Sequence, residues 1–328
     1  MRIATSDVGL PLNSLTSLRE FLCVMYDACA VQRNMYRKAK VLHRDISDNN
    51  IMVAPPAENT EFYEHCAEGY DEVKYINQVL ANDKRVRPKP TCLVIDLGNG
   101  ADLGLVHGQE ALTMRTGTPK FIARSMSSGM VLGAYLSRWP ASIMPKLEGR
   151  ELQLYKYHYG KEYEKYNRTV GEGSRLDKQL FQAKSTHQLF HDSESVFWVI
   201  AWTLVCATRD PSQKEANPTI QFKKFAYAML NHLPGDLVPD RRATFHPDET
   251  NWGAILHNDL ADMVPMVSQM HSYIWYEWAY KDALEPEHSH EALMRLLLQE
   301  IVRIDNTSDM SLKFGSRPLP VDLGHQQN

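Results

Sequence analysis

The chain has no apolar run long enough to cross a bilayer. Its most hydrophobic stretch, Val196 to Ala207, falls well short of the roughly 20 residues a membrane helix needs and reads as a buried helix. A signal peptide is also missing: residues 1–20 carry Arg2, Asp7, Arg19 and Glu20 and have no apolar core. The five cysteines are scattered without metal-ligand spacing, and their odd number suits a reducing compartment better than a disulfide framework. Cytosol or nucleus is the expected location. There is no block of basic residues, and a net charge of −4 is spread over both signs, so neither nucleic acid nor a membrane is an expected partner. Internal repeats and low-complexity segments are absent as well. What remains is 328 residues with 43% apolar composition, enough for one large or two small packed domains.

Residues 14–40 give the first helix, with Leu18, Phe21, Leu22, Met25, Ala28 and Cys29 recurring at helical period and Ser17 with Glu20 as a capping box. Two short strands follow, Ile51–Val53 and Cys92–Ile95, the second bounded by Pro88, Pro90 and Gly98. The polar segment between them, about 57–90, is too long for a hairpin loop and reads as an insertion with a helical middle near Val73 to Leu80. Residues 99–122 read as an irregular loop. A second insertion is expected over about 138–187, where Tyr159, Tyr163 and Tyr166 share one helical face, more readily a packed helix edge than a binding platform. The rest is helical, ending in a helix capped by Ser289 that runs to Ile301, and residues 306–328 read as a loose polar tail.

Chemistry concentrates in four places, in order along the chain. His43-Arg44-Asp45 is followed by Asn50, in a loop between the first helix and a short strand. Asp96-Leu97-Gly98 follows the next strand; a carboxylate there suits a hard cation, and the glycine lets backbone approach closely. Thr116-Gly117-Thr118-Pro119 closes the loop that comes after. His191-Asp192 opens the apolar helix, where the Asp can cap and reach buried N–H groups of a neighbouring loop. Gly98-x-Gly100 is not a dinucleotide loop, because the third glycine comes one place late, and Glu287, His288 and His290 lack the partners of a metal site.

Together these four motifs resemble the C-terminal lobe of a protein kinase, and the wording HRDIS…NIM, RTGTPKFIA and HDSESVFWVIAW resembles the fungal-type protein kinase family over roughly residues 9–207. The resemblance implies an α+β, mainly α, fold: a kinase-like C-lobe over residues 1–305 with the two insertions. It implies Asp45 as catalytic base, Arg44 as the tie to the activation segment, and Thr118 as the hydroxyl that bonds Asp45. Asn50 and Asp96 would be magnesium ligands beside ATP, with Gly98 at the nucleotide, while Asp192 and His43 would brace the loop. Thr113 and Thr116 are the hydroxyls where a phosphate could meet Arg44.

The pattern also departs from a complete kinase. A glycine-rich loop, a strand lysine and its helix glutamate do not fit before residue 43, so an absent N-lobe and weak activity alone are expected. Ser47 stands where Ser/Thr kinases usually carry a lysine, and Ala123-Arg124-Ser125 replaces Ala-Pro-Glu, losing a glutamate that would form a buried ion pair. The leading expectation is transfer of the ATP γ-phosphate to Ser or Thr of a protein substrate, with an N-lobe encoded upstream or a partner that supplies or covers that face. The alternatives are a pseudokinase-like binding module and a small-molecule phosphotransferase.

Overall fold

The computed structural model describes residues 9–55, 63, 72–133, 144–167, 183–212, 215, 217–235, 240–280 and 284–320. It is mainly helical with two small sheets, in keeping with an α+β, mainly α, chain. Three helices form the centre. Helix α1 (Leu18–Ala39) packs against the last helix, α11 (His288–Asn306), and both contact α7 (Leu189–Val205). The start of α1 follows from Ser17, whose hydroxyl accepts the Glu20 N–H at 3.0 Å. It ends at Lys40, which takes a left-handed conformation (φ 54°) and turns the chain into the motif loop. Helix α7 is buried along nearly its whole length; its apolar run from Val196 packs in the core, and its polar start carries Asp192 and Glu194.

The sheets are short and sit at the loop. Strands β1 (Leu10–Pro11), β3 (Ile51–Val53) and β4 (Cys92–Val94) pair antiparallel, with Ile51 opposite Val94. A second pair, β2 (Val41–Leu42) with β5 (Ala101–Asp102), had no signal in the sequence pattern. Residues 99–122 are less irregular than expected: besides β5 they contain a helical turn at Val106–Ala111.

A buried charged layer joins α1 to α11. Arg33 bonds Glu287 and Glu291, each at 2.7 Å, Arg37 bonds Glu287, and Arg295 reaches Glu291 at 2.8 Å. Glu291 also accepts from the Tyr155 hydroxyl. Burial alone would push the Glu291 carboxyl up, but the flanking arginines hold it below its usual value. Tyr155, Tyr163 and Tyr166 complete this layer: Tyr166 accepts from Arg33 and Arg37, and Tyr163 lies under the Arg295 guanidinium at 4.3 Å. They are packed side chains.

Two expectations change. Ser289 is not a cap, because α11 starts one residue earlier and Ser289 is buried, bonding Ser193 at 2.7 Å. Nor are residues 310–317 loose. Leu312 and Phe314, two apart, both turn into the core, where the Phe314 ring lies 5.1 Å from that of Phe21. Arg317 is buried over Phe222, donates to the carbonyls of Val205 and Ile255, and pairs with Glu215 at 2.9 Å. A polar reading of this segment missed the alternation. Residues 321–328, and much of both expected insertions (56–62, 64–71, 134–143 and 168–182), lie outside the described residues.

Candidate functional site

The loop after β2 is held from below by one carboxylate. Asp192, near the start of α7, accepts the N–H of His43 at 2.9 Å on Oδ2 and that of Arg44 at 3.0 Å on Oδ1. His187 adds a third contact at 3.0 Å. Burial works against this charge, yet the His187 bond and the other donors hold its carboxyl at about 2. This bracing lets Arg44 keep a positive φ of 69°, which a non-glycine residue adopts only at a cost of about 1–3 kcal/mol. His43 supplies the second tie, its Nε2 lying 2.9 Å from the carbonyl oxygen of Ile95.

Asp45 then projects into a polar corner. Its Oδ1 accepts both the N–H and the hydroxyl of Thr118, each at 2.8 Å, and its Oδ2 accepts the Asn99 amide at 3.1 Å. Gly117 makes the approach possible: its φ is 122°, and an added Cβ would lie 3.2 Å from the Arg44 carbonyl oxygen. A carboxylate offers about four acceptor sites. Three are used here, which leaves room for one more donor.

Arg44 spends its guanidinium on backbone. It donates to the carbonyls of Asn99, Ala111 and Met114, tying the motif loop to the segment over 99–118 without a phosphate. Burial pulls its pKa down, partly offset by Asp192. Thr113 is exposed and bonds the Glu110 carbonyl; the Thr116 hydroxyl and Arg44 Nε are both buried without a partner among the described residues.

The sheet joins the two remaining motif residues. Ile95 donates its N–H to the Asn50 carbonyl at 2.9 Å, so Asn50 and Asp96 leave β3 and β4 at neighbouring ends. The Asn50 amide donates to the Asp45 carbonyl at 2.8 Å, leaving its side-chain oxygen for a ligand. Asp96 is exposed, in a left-handed conformation (φ 62°), with Oδ1 accepting the Gly98 N–H at 3.2 Å. The Asp96 carboxylate and the free Asn50 side-chain oxygen are hard-oxygen donors of the kind a magnesium ion uses. Glu287 and His290 are spent elsewhere, on Arg33 with Arg37 and on Gln32.

Sequence reasoning missed Asn99 and His187, the contacts to Asp45 and Asp192. His187 lies five residues ahead of Asp192, before α7 begins, and neither it nor Asn99 carries a spacing signal in the sequence. The lost glutamate is compensated next door. Arg124 is buried and pairs with Glu194 of α7 at 2.7 Å, while Ser125 bonds His191 at 2.9 Å.

Residues 1–204 match the profile described as fungal protein kinase. The chain belongs to the fungal protein kinase family. No curated protein and no solved structure matches it. Among the described residues, no helix is long and apolar enough to cross a membrane.

Proposed function

We propose that the chain is a kinase-like C-lobe that transfers the γ-phosphate of ATP to a Ser or Thr hydroxyl of a protein substrate. The observation that carries this reading is Asp45, held on both oxygens with one acceptor site to spare. In that site an attacking hydroxyl donates its proton to Asp45 as its oxygen bonds the γ-phosphorus; the bond to the β-phosphate oxygen breaks and ADP leaves. Asn50 and Asp96 would hold magnesium, which neutralises charge on the phosphates. Asp192 and His43 keep the loop in its strained form, and Arg44 fixes the following segment beside it.

The groups that clamp the phosphates from above are assigned to a separate covering lobe, in this protein or a partner. Exposed Ile95 and Leu97, flanking Asp96, support such a cover. A second reading, a binding module with little transfer, is favoured by Ser47: it is buried on the Asn50 N–H and brings no cation to the transferring phosphate.

The test offers the full chain, with a kinase N-lobe supplied to cover the Asp96 face, γ-labelled MgATP with Ser/Thr peptides, sugars and amines, and follows melting with ATP. Labelled peptide, with a magnesium-dependent rise of several degrees at millimolar ATP, is expected. A flat melting temperature and no labelled peptide would leave the module reading; labelled sugar or amine would point to small molecules.

A further inference from the structure

Beside the Asp45 loop lies a pocket of about 160 Å³ that no motif explains. Asp48 and Asn49, in the same loop, form one wall, and Trp202 of α7 with Cys206, just past its end, forms a second. Leu12 and Phe314 close it, the latter from the C-terminal segment. We propose that this pocket is a substrate subsite that selects an uncharged apolar side chain, of leucine or methionine size, flanking the phosphorylated residue. This rests on the protein-kinase reading above.

Three observations carry it. Small-molecule sites run to about 300–1,000 Å³, so this volume suits one side chain and not a nucleotide. The position follows from chain connectivity: Asp48 is three residues beyond Asp45, and Lys120, which reaches Asp48 at 3.4 Å, is two residues beyond the Thr118 that holds Asp45. The wall is thus within a few residues of a hydroxyl held at Asp45, and the subsite would seat a flanking side chain of that peptide. Finally, the cation site is already taken. The Lys120 ammonium lies 4.8 Å from the Trp202 ring centre and 4.7 Å from that of Phe121, and it neutralises Asp48. A substrate arginine would have to displace it, and a substrate carboxylate would find Asp48 first. Its apolar surface comes from Leu12, Trp202, Cys206 and Phe314, and on its polar side Asp48 is already paired with Lys120.

The test is retention of the full chain on Ser-centred peptide arrays that vary one flanking position at a time, with phosphate transfer read on the same arrays. One position should favour Leu or Met over Arg and Glu by about tenfold, the gain from burying such a side chain. Asn13→Trp, placed on the exposed rim, should abolish the preference without changing the melting temperature. Lys120→Ala should bare Asp48 and Trp202 and shift the preference towards Arg. Absence of any positional preference, a basic or acidic preference in the unaltered chain, or a preference that survives Asn13→Trp would overturn the subsite. Selective retention without transfer refutes the transferase reading and leaves the subsite standing. Transfer without selection does the reverse, and neither retention nor transfer counts against both.

Discussion

At Asp192 a buried carboxylate keeps its charge because the N–H groups of His43 and Arg44 and the His187 ring all point at it. Its carboxyl lies at about 2, below the roughly 3.9 of an unfolded Asp. Its stabilisation is therefore complete above about pH 4 and fades as pH falls towards 2. Asp27 and Glu277 act in the opposite sense. Burial raises both to about 7, so stability falls as pH climbs from the ordinary carboxylate range through neutrality. Urea midpoints should thus be highest near pH 4 and lower at pH 2 and pH 8; a flat profile would contradict these assignments. In Asp192→Asn the acid-side loss should shrink, and neutral-pH stability should drop by about 3–5 kcal/mol as buried donors lose their charge partner. Gly117→Ala probes the neighbouring strain. At φ 122° it should cost about 1–3 kcal/mol and move Thr118 off Asp45, lowering transfer more than Thr118→Ser.

Elements with a strong period could be read directly from the residues. Helix α1 and the apolar α7 follow from stripe and run, and β3 with β4 from short β-rich segments between prolines and glycine. The two-residue β2 and β5 are too short to show a period, and their pairing is set by tertiary contact. Within the site, Asp45, Asn50, Asp96, Thr118 and Asp192 were visible because their chemistry demands fixed residue types. Asn99 was not, because an amide in a turn has a purely local explanation. The ion pair of Arg124 and Glu194 was hidden for another reason: its partners are 70 residues apart. Arg124→Met should destabilise by about 3–5 kcal/mol, and the Arg124→Met/Glu194→Leu double variant should recover much of it. Denaturant midpoints of the four proteins check this; strictly additive losses would show the pair is uncoupled.

On the scale of the whole molecule, the C-terminal segment closes what α1 and α7 begin. Removing residues 310–328 exposes the seats of Leu312 and Phe314 and takes Arg317 from the carbonyls of Val205 and Ile255. We expect a fall in melting temperature of at least about 6 °C, from a loss of about 3 kcal/mol or more; a truncated chain that melts unchanged would contradict the packing. The same core positions the loop, since α7 carries Asp192 at one end and the pocket wall at the other. The most direct measurement of the central claim is γ-phosphate transfer to peptide by the full chain and by Asp45→Asn, each with the covering lobe supplied, with nucleotide affinity determined in parallel. Magnesium-dependent transfer that drops at least about 100-fold in Asp45→Asn, at unchanged nucleotide affinity, is the predicted result. Equal transfer by both proteins, or none by either, would contradict it.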